Sequence, residues 1–303
     1  GRFGPREAQI ALTLRVVCGF TTAQIARAFL IPETTVAQRI TRAKRKIVDA
    51  GIPYRIPDPD ELDARLPEVL AVIYLVLNEG YLATADQTES RDLVEDADWL
   101  ASQLHGLMPN EPEAAGLLAL IRLHGARMST RFDAAGGLVL LQDQDRSGWD
   151  RQAIAGAMRL LERAAKHRRP GPYQLQAAIV ACHAEAPSWA ETDWEQIVVL
   201  YDMLLCLEPS PVTRLHRCIA LSHLVGPEAA LAELDEVAEV LGQYHLYHAI
   251  RAELLRAVGQ PMEARLADQQ ALVLTNNPAE QQILRHRLDW DQAGEVREYV
   301  PAS

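Results

Sequence analysis

Thr21-Thr22-Ala23-Gln24-Ile25-Ala26-Arg27-Ala28-Phe29-Leu30-Ile31-Pro32-Glu33-Thr34-Thr35-Val36 is the stretch whose reading decides the fold. Thr21 and Gln24 have the Thr-x-x-Gln spacing of a capping box: the hydroxyl accepts from the backbone N–H three residues on, and the amide side chain returns a bond to the Thr21 N–H. A helix therefore starts there and runs through Phe29. Leu30-Ile31-Pro32 breaks it, since proline has no backbone donor to continue the ladder. Pro32 and Glu33 then open a second helix, with a preset φ and a carboxylate where the helix dipole favours negative charge. Two helices joined by a tight turn predict a helix-turn-helix.

At about 100° per residue, Val36, Ile40, Ala43 and Ile47 form one stripe of the second helix. Thr35, Gln38, Arg39, Arg42 and Lys46 form another, and only the first stripe is apolar enough to pack. The polar stripe offers Gln and Arg early and Arg42, Lys44, Arg45 and Lys46 late. That order suits a helix set in the major groove of DNA, with base edges toward its start and phosphates toward its end.

The charge distribution supports the same division. The whole chain of 303 residues carries a net charge of -11, but residues 1–50 hold nine Lys/Arg against three acids, which is +6 and leaves -17 for the remainder. A basic module that meets phosphate is followed by an acidic one that phosphate repels, and the acidic part is expected to contact protein. The boundary is Gly51-Ile52-Pro53-Tyr54-Arg55-Ile56-Pro57-Asp58-Pro59-Asp60, in which three prolines and a glycine end the helix near Ala50. The expected organisation is a DNA-binding domain over 1–50, a Pro-rich linker over 51–61, a helical extension over 62–190 and helical repeats over 191–303.

A hydrophobic share of 49% with 23% charged residues excludes a disordered chain, and long helical patterns punctuated by Pro and Gly predict an all-α fold. Gly136-Gly137-Leu138-Val139-Leu140-Leu141 is a short strand or a loop crossing the core. The longest apolar run, Val69 to Leu77, is nine residues, far short of the roughly 18 that a membrane span needs. Cys18, Cys182, Cys206 and Cys218 are scattered without a C-x-x-C pair, which suits reduced thiols in a cytoplasm. The chain opens at Gly1 without a methionine, which points to a cut or processed end and a segment upstream.

From about Trp194 the helices follow a repeat of roughly 34 residues. Gly226 and Gly259 lie 33 apart, and Tyr247, Gly259, Ala264, Ala271 and Pro278 resemble the tetratricopeptide pattern of small residues at a helix crossing and a closing proline. Leu207-Glu208-Pro209 closes an earlier unit in the same way.

Ile10-Ala11-Leu12-Thr13-Leu14-Arg15, Thr22-Ala23-Gln24-Ile25-Ala26, Val36-Ala37-Gln38-Arg39-Ile40 and Arg42-Ala43-Lys44-Arg45-Lys46-Ile47 together resemble region 4 of bacterial extracytoplasmic-function sigma factors, over residues 5–48. Asn78-Glu79-Gly80-Tyr81, the run Leu140 to Asp150 and Gly171-Pro172-Tyr173-Gln174 are similar to the subgroup with a long C-terminal tetratricopeptide-like extension. The resemblance implies binding to the promoter -35 element and to core RNA polymerase, with an extension that regulates activity or binds a protein partner. The family's region 2, which melts promoter DNA, does not occur in this sequence, so the chain as given is not expected to initiate transcription alone. The matching positions place Glu33, Thr34, Thr35, Gln38 and Arg39 near bases or adjacent backbone, and Arg42, Lys44, Arg45 and Lys46 on phosphates. Thr34 or Thr35 can equally be a helix cap.

No enzyme chemistry is expected. Asp143, Asp145 and Asp150 cluster as a cation site would, but lack the Gly and terminal Glu of a calcium loop; they are read as caps for the helix near Arg151 and as partners of Arg146. None of the nine His forms H-E-x-x-H, and no phosphate-binding glycine loop occurs, so no catalytic residue, metal or cofactor is assigned. Tyr81 and Trp149 are candidates for contacts between domains, and with Asp143, Asp145, Arg146 and Asp150 they form the regulatory candidates.

Overall fold

A computed structural model describes residues 5–16, 20–50, 59–82, 87–134 and 136–292. Most of the Pro-rich linker, residues 51–58, and Cys18 lie outside the described residues. The chain divides into two compact units, Gly1–Met108 and Pro109–Ser303, and among the described residues the regular elements are helices, with no strand.

The first unit contains α1 (Pro5–Val16), α2 (Thr22–Phe29), α3 (Glu33–Ala50), α4 (Pro59–Leu82) and α5 (Gln87–Leu107). The capping box forms: the Gln24 N–H donates to Thr21 Oγ1 at 3.1 Å, and the Thr21 N–H donates to Gln24 Oε1 at 2.6 Å. At the other end of α2 the Leu30 N–H reaches the Arg27 carbonyl and the Ile31 N–H the Ala26 carbonyl, which is a Schellman closure. That closure needs a left-handed residue, and Leu30 takes the place glycine usually holds, at φ 52 and ψ 45. Ile10, Leu14, Phe20, Ile25, Val36 and Ile40 are buried and form the core between α1, α2 and α3. α4 packs against α1 and α2, and α5 packs along α4 through Leu70, Ile73, Leu77, Val94, Ala97 and Ala101.

The second unit runs from α6 (Pro112–Gly125) through an irregular segment to α7 (Arg151–Ala165) and α8 (Pro172–Glu185). It continues through α9 (Trp194–Leu207), α10 (Pro211–Leu224), α11 (Pro227–Asp235), α12 (Ala238–Leu241), α13 (His245–Ala257), α14 (Pro261–Leu274) and α15 (Pro278–Gln292). The Gly136–Leu141 stretch is a loop: a single antiparallel bridge joins Phe132 to Leu138, and a 3-10 turn follows at Leu141–Asp143.

α6 and α8 approach closely because Gly116 and Gly171 carry no side chain: a Cβ on Gly116 would lie 2.7 Å from the Gln174 backbone nitrogen, and one on Gly171 2.2 Å from the Glu113 carboxyl carbon. Glu113 accepts from the Tyr173 N–H at 3.0 Å, the Gln174 N–H at 3.1 Å and Gln174 Nε2 at 3.0 Å, so it caps α8 from a different helix. Burial pushes the Glu113 carboxyl above its ordinary range, opposed by these three donors.

From α8 onward successive long helices pack on one another, α8 on α9, α9 on α10, α10 on α11, α11 on α13, α13 on α14 and α14 on α15, while the short α12 lies against α10. Leu175, Ile179, Ile197, Leu200 and Leu204 form one core cluster; Leu215, Leu234, Leu241, Tyr247 and Leu254 form the next. Ala252, Leu255, Ala264 and Ala267 close the crossing of α13 and α14, where small side chains permit close axes. Arginines stitch the stack: Arg217 bridges Asp202 on α9 and Glu233 on α11, Arg251 pairs with Asp235, and Arg256 and Arg287 both face the fully buried Asp268.

Thr21→Ala is expected to lower the stability of the first unit by about 1 kcal/mol, and Leu30→Gly to raise it by about 0.5 kcal/mol through relief of the left-handed strain. Hydrogen-exchange protection of the α2 amides measures both. Unchanged protection in Thr21→Ala would mean that the box does not hold the helix.

Candidate nucleic-acid interface

α3 is positioned by the side it buries. Val36 is fully buried and Ile40 nearly so, which turns the opposite arc of the helix outward. On that arc Glu33, Thr34, Gln38, Arg39, Arg42, Lys44 and Arg45 are exposed, while Thr35 is half-buried. The backbone of Lys46 continues the helix, but its side chain and that of Ile47 lie outside the described residues. Thr34 and Thr35 sit in the first turn of α3, after Glu33, and no hydrogen bond from either hydroxyl occurs among the described residues. The Thr35 N–H donates to the Pro32 carbonyl at 3.0 Å, so backbone closes this turn. A solvent-facing helix with Gln and Arg in its first half and Arg and Lys in its second can lie in a groove and meet bases and phosphates in that order.

The first helix of the pair is also held from behind, which the sequence did not disclose. Arg27 Nη2 donates to Glu79 Oε1 at 2.5 Å, with the Arg27 side chain 64% exposed and the Glu79 side chain 10% exposed. Glu79, on α4, is therefore a largely buried carboxylate neutralised by the helix-turn-helix itself. The one signal available in sequence was an acid soon after the apolar run that begins at Val69. Tyr81, two residues on, is half-buried near the end of α4.

In the second unit the Asp143 to Asp150 segment folds as successive caps. The Ser147 hydroxyl and then the Ser147 N–H, at 2.9 Å, hold the Asp145 carboxyl below its ordinary range, and Asp150 accepts from the Ala153 N–H at 2.9 Å as the cap of α7. Asp143 is exposed at the end of its 3-10 turn. The expected pairing of Arg146 with these aspartates gives way to carbonyls: Nη1 donates to His183 O and Ala186 O, both at 2.6 Å, at the C-terminal end of α8, where carbonyls lack helical partners and the dipole favours a cation. Its guanidinium also lies 4.9 Å from the centre of the Trp149 ring, and Trp149 Nε1 donates to Thr130 Oγ1 at 2.9 Å. Trp149 and Arg146 are thus packing elements of this unit. Among the described residues no group of three or more His, Cys, Asp or Glu is placed to hold a metal ion.

His183 stacks on Trp189 with ring centres 5.7 Å apart, and His223 stacks on Trp194 at 4.1 Å. Burial, with the nearby Arg127, Arg146 and His223, pushes His183 down to about 3.

Comparison with known proteins agrees with this geometry. Residues 5–47 match the family described as sigma-70, region 4, the span of α1 to α3. Residues 65–165 match a family of unknown function, DUF6596. The fold and this match define a protein built on a sigma-factor DNA-binding helix-turn-helix followed by a helical region. The chain is 48% identical over 286 residues to the uncharacterized protein R00370 of Rhizobium meliloti (strain 1021), covering 94% of this chain and 68% of that one, and it belongs to the same family. No solved structure matches the chain.

The His183 environment carries a pH dependence. The ordinary value is 6.5 and the folded value about 3, so below 6.5 the unfolded chain takes up a proton that the folded chain refuses. Stability from this group is complete above that value and falls by up to about 1.4 kcal/mol per pH unit on the way down. His183→Asn is expected to reduce the loss of urea midpoint between pH 7 and pH 5, with a residual slope from His124 and His216, which burial also holds neutral. Equal pH sensitivity in the variant and the parent would remove His183 from the account.

Proposed function

We propose that the protein acts as a sigma factor of the extracytoplasmic-function type, in which α2 and α3 read the promoter -35 element. The observation that supports this most directly is the exposed polar arc of α3, fixed outward by buried Val36 and Ile40 within the segment that matches region 4. Glu33, Thr34, Thr35, Gln38 and Arg39 serve the bases and adjacent backbone, and Arg42, Lys44, Arg45 and Lys46 serve phosphates. Core RNA polymerase is the protein partner this class implies.

The second unit is read as a tetratricopeptide-like regulatory platform. Gly226 and Gly259, 33 residues apart, both adopt positive φ, at 115 and 79, and Ala264 and Ala271 are fully buried at a helix crossing. Stacked hairpins of this kind present extended surfaces to peptide or protein partners. The strongly acidic balance of residues 51–303 favours protein over DNA as the general partner of that surface. A reducing cytoplasm suits the free thiols of Cys182, Cys206 and Cys218.

Two measurements test the reading. Arg42→Ala is expected to weaken binding to every duplex and to lower the slope of log affinity against log salt by about 1, whereas Gln38→Ala relaxes preference at one base position by about 1–3 kcal/mol. Equal slopes for parent and Arg42→Ala would refute the phosphate role. Removing residues 109–303 leaves the first compact unit and is expected to change -35 affinity. Unchanged affinity and salt dependence would make the second unit a partner platform without control over the DNA reader.

A further inference from the structure

The second unit is acidic, yet one surface of it is strongly basic. From the last two turns of α7 into the connection to α8, residues 159–169 hold Arg159, Arg163, Lys166, Arg168 and Arg169 against one acid, Glu162, and all six side chains are exposed together with His167. Arg159, Arg163 and Lys166 recur at helical spacing on one side of α7, and Arg168 is projected by a backbone turned left-handed at φ 54.

These cations differ from a set of arginines farther along the unit. Arg214, Arg217, Arg251, Arg256 and Arg287 are each bonded to an Asp or Glu of a neighbouring helix. Among the described residues Arg159, Arg163, Lys166 and Arg168 have no ion pair, and Arg169 only a wide one, 3.6 Å to Glu111. The helix dipole accounts for one or two cations at the end of α7, but not for five. Among the described residues no large hydrophobic side chain between Leu107 and Val199 is exposed, so the segment that carries the patch offers no apolar anchor of its own. Protein interfaces draw their energy from buried aromatic and aliphatic anchors, whereas a polyanion needs only charge and donors.

We propose that this surface is a second, sequence-independent phosphate-binding surface for duplex DNA. The inference rests on the reading of the chain as a DNA-binding protein and adds a site to it. Arg159, Arg163 and Lys166, the last of them the residue that caps α7, span about 10 Å, a length over which a duplex carries about six phosphates, and Arg suits phosphate through its planar donor fork.

The test uses the full chain and two labelled duplexes, one limited to the helix-turn-helix site and one extended well beyond it. The variant R163Q/K166Q/R168Q is expected to lower the salt slope on the long duplex by about 2–3, with weaker binding whatever the flanking sequence, and to bind the short duplex as the parent does. The isocharged variant R163K/R168K is expected to keep most of the slope, which separates lost charge from disturbed folding. Parent-like slope and affinity of the Gln variant on the long duplex would overturn the proposal. So would the same result accompanied by loss of binding to polyglutamate, which would make the surface a site for acidic protein. A slope lowered by the Gln variant but not by Arg42→Ala would strike the α3 reading and leave this one standing.

Discussion

The burial of Val36 and Ile40 against α1 and α2 is the constraint on which the DNA-facing part of the molecule depends. A helix has one rotation about its axis that hides both side chains, and that rotation leaves Gln38, Arg39 and Arg42 in solvent. Everything that holds α1 and α2 in place therefore aims α3: the capping box at Thr21, the left-handed Leu30 that turns the chain into Pro32, and the buried Glu79 that ties Arg27 to α4. The last of these makes α4 part of the support of the helix-turn-helix, since the ion pair joins a largely buried acid of α4 to the first helix of the pair.

The second unit solves a different problem, how to bury helices that are individually only moderately amphipathic. Small residues do much of it. Gly116 and Gly171 bring α6 against α8, and Ala252, Ala264, Ala267 and Ala271 bring α13 against α14. Close axes leave end groups with little access to water, so polar side chains from elsewhere satisfy them: Glu113 serves the first turn of α8, and Arg146 serves its last carbonyls. The ion pairs that run from Asp202 to Arg287 add register between neighbouring helices, most of them at partly exposed positions where each contributes little alone.

A segment that matches region 4 and an acidic helical unit that carries one basic surface describe a chain with divided electrostatics. The division extends inside the second unit, where Asp202, Glu233, Asp235, Glu236, Glu253 and Asp268 pair with arginines of adjacent helices and the end of α7 is left as unanswered positive charge. A uniform acidic field would repel a duplex everywhere; a local cationic strip reverses that over a few phosphates.

The sequence by itself determined what depends on neighbours a few residues apart. Thr21 and Gln24, Pro32 and Glu33, and the spacing of Val36 and Ile40 are readable because capping and helical periodicity act over three or four residues. The all-helical class, the helix-turn-helix and the Asp150 cap followed from such local rules, and the strand-or-loop choice at Gly136–Leu141 stayed open because a six-residue apolar run has no decisive period. Tertiary structure alone decided what joins distant positions: Arg27 with Glu79, Glu113 with the start of α8, and Arg146 with carbonyls 37 and 40 residues away in place of nearby aspartates. It also decided which arginines are answered by acids and which are free, because charge in a sequence is a count, whereas pairing is a matter of which helices lie side by side.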